Sequence, residues 1–183
     1  EIAQCLVGSE MCIRDRYIRN QIHKKGLDEN TYIKAMNILL DLNVHVLIYV
    51  FVKPPIPYIT DDEAIDDAMK TIKDSFDKGA YAVELECGYI VENSDMYNIY
   101  KNGRYKPLSF WSIQKLLKNA IALNRGIVRL AYFSDTPKPI AGPSNCEKCN
   151  DKFIKMFDEY RETLDPKVLF EEIQCECKKY IIR

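Results

Sequence analysis

Four cysteines toward the C-terminus form the clearest chemical pattern in the chain. Cys146-Glu-Lys-Cys149 is a C-x2-C pair, and further on Cys175-Glu-Cys177 is a C-x-C pair. Two close pairs can bring four thiolates to the corners of a tetrahedron, the geometry that zinc accepts in structural sites. The same donors suit an iron–sulfur cluster, and free thiols or redox pairs are a third reading. The stretch between the pairs is too short to bury a core of its own, so a metal cross-link would stabilise it. Zinc held by Cys146, Cys149, Cys175 and Cys177 is the reading the spacing favours, although C-x-C is unusual for a zinc ribbon. The other cysteines are Cys5, Cys12 and Cys87, which makes an odd total of seven. An odd, unevenly placed set points to reduced thiols or a metal site rather than disulfides. Cys87, standing alone in an apolar run, reads as a small buried hydrophobe.

A second group of candidates lies where strands should end, because α/β barrels carry their chemistry at the C-terminal ends of their strands. Lys53 follows one apolar run, Glu84 and Glu86 share a face of the next, and Asp135 follows a third. Lys53 and Asp135 are equally readable as solvated loop charges. Two carboxylates in a buried strand are costly without partners, so Glu84 and Glu86 are expected to face a polar barrel interior. Gly103-Arg-Tyr-Lys-Pro107, with Trp111 just beyond, joins basic and aromatic groups. Such a mix can stack bases and neutralise phosphates. The plainer reading is a tyrosine-rich loop packed on the barrel mouth. His23 and His45 stand in no ligand-spaced set.

The elements that must position these groups can be read from periodicity. Asp28 is a plausible N-cap, followed by Tyr32, Ile33, Met36, Leu39 and Leu40 at helical spacing. Residues 44–52 are β-branched and aromatic, as a buried strand requires, and Lys53-Pro54-Pro55 stops them. Thr60 and Glu63 have the spacing of a capping box. The helix they open carries Ala64, Ile65, Ala68, Met69, Ile72 and Phe76 on one face and ends at Gly79. Residues 81–87 form the next strand, and 88–108 a long loop. Ser109 can cap a helix with Ile113, Leu116, Leu117, Ala120 and Ile121 inward, before a third strand over 126–133. Pro137, Pro139, Gly142 and Pro143 then form a linker to a helix over 151–162. Asp165-Pro166 is an N-cap followed by proline at the first helical position. Alternating helix and strand implies a parallel sheet with crossover helices. Three strands would leave two raw edges, as in a piece of a larger barrel.

Composition narrows the class. Apolar residues are 47% and charged residues 29%, ordinary for a globular protein. The formal charge of −1 excludes a global basic field for nucleic acid but leaves room for a local patch. No apolar run reaches the roughly 20 residues of a membrane-spanning helix. Residues 1–16 resemble translated sequencing-adapter sequence and are set aside from fold reasoning. The expected organisation is 1–16 as artefact, 17–136 as a partial barrel, and 137–183 as a cysteine-containing module. On that view the gene is cut upstream of Tyr17.

Several segments together resemble a known family. They are Val50-Phe-Val-Lys-Pro-Pro55 with Thr60-Asp-Asp-Glu-Ala-Ile-Asp-Asp67, and Gly103-Arg-Tyr-Lys-Pro-Leu-Ser-Phe-Trp-Ser112. The cysteine-bearing Pro143-Ser-Asn-Cys-Glu-Lys-Cys149 and Cys175-Glu-Cys177 complete the set. They are similar to the second half of radical S-adenosylmethionine (SAM) proteins of the archaeosine synthase and elongator-catalytic-subunit class. The resemblance implies an α/β fold, the C-terminal half of a partial (β/α)6 TIM-like barrel, with a small helical four-cysteine tail. It implies a 4Fe–4S cluster, SAM, an electron donor and a modified nucleoside in tRNA as substrate. Lys53 and Glu86 would then contact cofactor at the barrel mouth, and Arg104, Tyr105 and Trp111 would contact substrate. No residue is assigned as catalytic. The chain departs from the family in having no C-x3-C-x2-C run. Glu84 and Glu86 also stand where that family tends to carry Ser and Asn. This chain is therefore expected to be inactive by itself, as part of a cytoplasmic enzyme. The alternative is a non-catalytic, zinc-stabilised module that binds RNA or protein.

Overall fold

A computed structural model describes residues 2–4, 28–133 and 138–181. Strands β1 (Ile2–Gln4), β2 (His45–Val52), β3 (Ala82–Cys87) and β4 (Ile127–Leu130) form one parallel sheet in sequential order. The helices are α1 (Glu29–Asp41), α2 (Asp61–Asp77), α3 (Asp95–Lys101), α4 (Phe110–Ala122), α5 (Glu147–Thr163) and α6 (Lys178–Ile181). A 3-10 helix spans Pro166–Phe170. The sheet has one strand more than expected, because the backbone of 2–4 pairs with β2 from within the first sixteen residues.

Local chemistry explains most element starts. Asp28 accepts from the Thr31 amide at 2.9 Å and caps α1. Thr60 and Glu63 form the reciprocal capping box of α2. Ser109 accepts from the Ser112 amide at 3.1 Å and caps α4. Gly79 ends the α2 segment at φ +93°, and a Cβ there would meet Leu40 Cδ1 at 2.6 Å, so the position requires glycine.

Three expectations about element bounds change. The stretch 88–108 contains α3, opened by Ser94 accepting from the Tyr97 amide at 3.1 Å. No residue of α3 is buried, so its apolar stripe is too short and shallow to show a helical period. β4 covers only Ile127–Leu130 of the expected 126–133. α5 begins at Glu147, which places Cys149 inside the helix.

The sheet has two unlike faces. In register, Ile48, Val83 and Val128 align, as do Val50, Leu85 and Leu130, and all six are buried. This face carries the packed helices. The opposite face aligns Tyr49, Glu84 and Arg129 in one row and Phe51 with Glu86 in the next. The tail does not stand apart. Cys149, Phe153, Met156, Phe157, Tyr160, Leu169 and Ile173 join the same core as the sheet and α4. Phe110, Phe153 and Phe157 meet ring to ring across the join between α4 and α5, with centroids 5.6 to 5.9 Å apart.

The free edge of β4 is also covered. Tyr160 of α5 donates to the carbonyl of Val128. Arg161 donates through Nε to Leu130 at 3.1 Å and through Nη2 to Ala131 at 2.7 Å. An edge strand otherwise presents unpaired carbonyls, and here α5 side chains satisfy them.

Candidate metal centre and adjoining cleft

The structure brings the four tail cysteines together. Cys146 Sγ lies 3.7 Å from Cys149 Sγ and 3.4 Å from Cys175 Sγ, and Cys149 Sγ lies 3.6 Å from Cys177 Sγ. All four sulfurs fall within 4.8 Å of one another. A tetrahedral zinc with bonds of about 2.3 Å sets its sulfurs about 3.8 Å apart, so the cluster has the dimensions of a single-ion site.

The placement follows from the local fold. Cys146 is the N-cap residue of α5, and Cys149 lies in its first turn, its amide donating to the Cys146 carbonyl at 3.1 Å. The partial positive charge of a helix N-terminus favours thiolates there. Asn145 accepts from the Phe110 amide at 3.0 Å, and its own amide donates to Asn150 at 2.6 Å, which fixes the turn before Cys146. The 3-10 helix and the extended segment after it carry Cys175 and Cys177 back to the same place. Hydrogen bonding to Cys175 lowers the Cys146 thiol to about 7. Burial first, and then hydrogen bonds with Cys177 and Cys146, push Cys149 up to about 12. The two thiols of the first pair are thus shifted in opposite directions. A bound cation would supply the attraction that favours thiolates in such a set.

Trp111 reaches this centre from α4. Its indole N–H donates to Cys177 Sγ at 3.5 Å, and its ring meets Phe153 edge-on at 4.6 Å. Such outer partners orient metal ligands and tune their donor strength. Trp111→Phe keeps an aromatic ring at the position and removes the N–H. The variant should still load metal but bind it about 10-fold more weakly, as read by competition with a chromophoric chelator. Unchanged affinity would show that the N–H does not support the centre.

Beside the metal centre lies a cleft of about 980 Å³ between the end of α3 and the loop after it, the N-terminus of α2, one side of α4, and the tail. Its floor is a buried ion pair. Lys53, at φ +67° and 3% exposed, turns its ammonium inward to Asp61 at 2.6 Å. Asp61 also accepts from Ser112 Oγ at 2.6 Å and the Ser109 amide at 3.1 Å. Burial raises the Asp61 pKa, but the bonds from Lys53, Ser112 and Ser109 outweigh it and hold the carboxyl below its usual range. Tyr105, 3% exposed, donates its hydroxyl to the Lys53 carbonyl at 2.8 Å.

The candidate residues are therefore placed unequally. The four cysteines converge. Lys53 lines the cleft, with its ammonium held by Asp61. Arg104 is exposed at the cleft, whereas Tyr105 and Trp111 form its walls with their rings buried. Glu84 and Glu86 are half-buried on the sheet face opposite the packed helices, Glu84 lying 3.8 Å from Arg129. Cys87 is buried and its thiol is pushed far up, chiefly by burial, as befits an inert side chain. His45 is exposed and stacks on Tyr81 at 4.1 Å. Asp135 and His23, with Cys5 and Cys12, lie outside the described residues. Asp61 stands at the first helical position after the Thr60 cap, where an acidic residue is ordinary, so its type gives no sign of the Lys53 pair.

The fold is shared with a known class. An Elp3 protein of Methanocaldococcus infernus, with residues 1–46 deleted, matches at a TM-score of 0.52 and 18% identity over 76% of this chain and 33% of that one. No protein-family model matches the chain.

Two curated relatives are similar in sequence. The chain is 24% identical over 169 residues to archaeosine synthase subunit beta of Methanosarcina acetivorans. It is 25% identical over 163 residues to an uncharacterized protein of Methanocaldococcus jannaschii. The matches cover 88% of this chain but 45% and 43% of those proteins, so the chain spans less than half of their length. The chain thus resembles archaeosine synthase subunit beta in sequence and Elp3 in fold, as its motifs indicate. Among the described residues, no helix is long and apolar enough to cross a membrane.

Proposed function

We propose that this chain works within a radical SAM enzyme that modifies a nucleoside in tRNA. The carrying observation is the similarity to archaeosine synthase subunit beta along 88% of the chain. A 4Fe–4S cluster with SAM supplies a 5′-deoxyadenosyl radical in such enzymes. These 183 residues contain no C-x3-C-x2-C run, so the reading requires cluster ligands from outside them. The four-cysteine centre is a structural site. Its close sulfurs support one zinc ion, because a cubane spreads its thiolates over separate irons. Glu86, on the sheet face opposite the packed helices, belongs to the barrel mouth on the cofactor side. Lys53 acts there by holding Asp61, and Arg104 lies toward the substrate, with Tyr105 and Trp111 fixing the loop and helix beside it. The setting is cytoplasmic, and an electron donor is a required partner. The test is anaerobic expression of a full-length gene that contains this chain, followed by reduction with dithionite in the presence of SAM. Release of 5′-deoxyadenosine is expected, and its absence from cluster-loaded protein would defeat the proposal.

A further inference from the structure

The cleft beside the metal centre is far more basic than the chain as a whole. Six cations line it: Lys53, Arg104, Lys106, Lys115, Lys118 and Lys178. The acids that line it are Asp61 and Asp62, and both are engaged, Asp61 with Lys53 and Asp62 with Lys115. Among the described residues, Arg104, Lys106, Lys118 and Lys178 make no ion pair. This local excess sits on a chain whose formal charge is −1. Lys118 and Lys178 are held over aromatic faces instead, Lys118 at 4.8 Å from the Phe170 ring centroid and Lys178 at 5.0 Å from that of Trp111. Burial and then repulsion from Lys178 lower the Lys118 pKa, so the two ammoniums crowd each other. Tyr58 and Tyr180 leave their rings 72% and 79% exposed at the same cleft. Uncompensated cations beside open aromatic rings match a strand that offers phosphates and unstacked bases together.

The cleft is also built by the metal centre. Lys178 directly follows Cys177, and Tyr180 lies in the same short helix. Cys177 is tied to Trp111 by the indole N–H and to Cys149 by the sulfur contact. Closing the four thiolates on an ion therefore fixes the wall that carries Lys178 and Tyr180.

We infer that this cleft is a track for single-stranded RNA, and that the four-thiolate centre assembles one of its walls. The inference rests on the metal-centre reading and the RNA substrate class proposed above, but not on radical chemistry. The track shares Lys53 and Arg104 with the substrate side proposed above. It would grip the strand's backbone beside the reacting nucleoside.

Fluorescence anisotropy of a labelled twelve-nucleotide oligouridylate with the whole chain tests the inference. The Lys118→Gln/Lys178→Gln double variant should weaken binding at least tenfold. Each lost phosphate contact on a single strand removes about 0.7 from the slope of log Kd against log salt, so the slope should fall by about 1.4. Lys34→Gln/Lys73→Gln, which changes charge equally away from the cleft, should leave the slope unchanged. Equal losses in the two double variants would mean diffuse attraction and overturn the track. Polyglutamate competing as well as unlabelled RNA would overturn the RNA assignment. Removing the metal, with its content measured alongside, should weaken RNA binding as much as the cleft variant does. Undiminished binding by demetallated protein would overturn the coupling to the centre. Protein that carries no metal, yet binds RNA with the expected cleft dependence, would sink the metal reading and leave the track standing. Matching thermal unfolding of each variant and its parent keeps a folding defect from imitating a binding loss.

Discussion

Purified protein should carry about one equivalent of zinc, and Cys149→Ser should abolish its binding. Cys149 is 1% exposed and touches Cys146 and Cys177, so its loss opens the middle of the centre. Structural zinc sites contribute about 10 kcal/mol or more of apparent binding free energy, which is also folding free energy. The burden falls on the segment after the 3-10 helix, where Ile173 is the one buried hydrophobic residue among those described. Chelation should therefore release residues 171–181 first, and then loosen α5, whose first turn carries Cys149. Mass spectrometry of the metal, with thermal unfolding before and after chelation, checks this. Metal-free protein that unfolds at the same temperature as the untreated sample would refute a structural ion.

Lys53→Met should destabilise the fold by about 3 kcal/mol, because breaking a buried ion pair strands the remaining charge. That figure is the low end of the range, since the Asp61 side chain is 21% exposed and water can partly replace its partner. Asp61 also receives Ser109 and Ser112, so the stranded carboxylate would sit at the joint of β2, α2 and α4. The pH dependence has a definite sign. The folded pKa of Asp61 is depressed, so its stabilisation is complete above the unfolded value of about 3.9. It is lost as pH falls through the lower folded value. Asp61→Asn should flatten the acid limb of the stability curve below about pH 4. Chemical denaturation between neutral and acidic pH reads both effects. An acid limb equally steep in Asp61→Asn would assign the dependence to other carboxylates.

Sequence alone displayed what depends on neighbours along the chain. The caps at Asp28, Thr60 and Ser109 are contacts over three residues, and each formed as read. The β-branched run that became β2 was legible because burial on both faces selects residue type directly. The cysteine pairs announced a metal centre because two close pairs restrict how thiols can meet. What stayed hidden depends on contacts between distant segments. Nothing local says that Lys53 bends inward to Asp61, or that Trp111 spends its N–H on a sulfur 66 positions later. Aromatic and basic letters near Arg104 looked like a single recognition surface. Packing divided them, burying Tyr105 and Trp111 and leaving Arg104 outside. The companion cations Lys118 and Lys178 lie on α4 and the tail, and only the fold sets them beside that loop.

Tyr160 and Arg161 give the sheet a direction. Their bonds to Val128 and Leu130 occupy carbonyls that another strand would need at the β4 edge, and a third bond holds the Ala131 carbonyl just past the strand. A strand arriving there would have to displace three hydrogen bonds and the arginine that makes two of them. Growth of the sheet past β4 is thereby blocked by the chain's own helix α5.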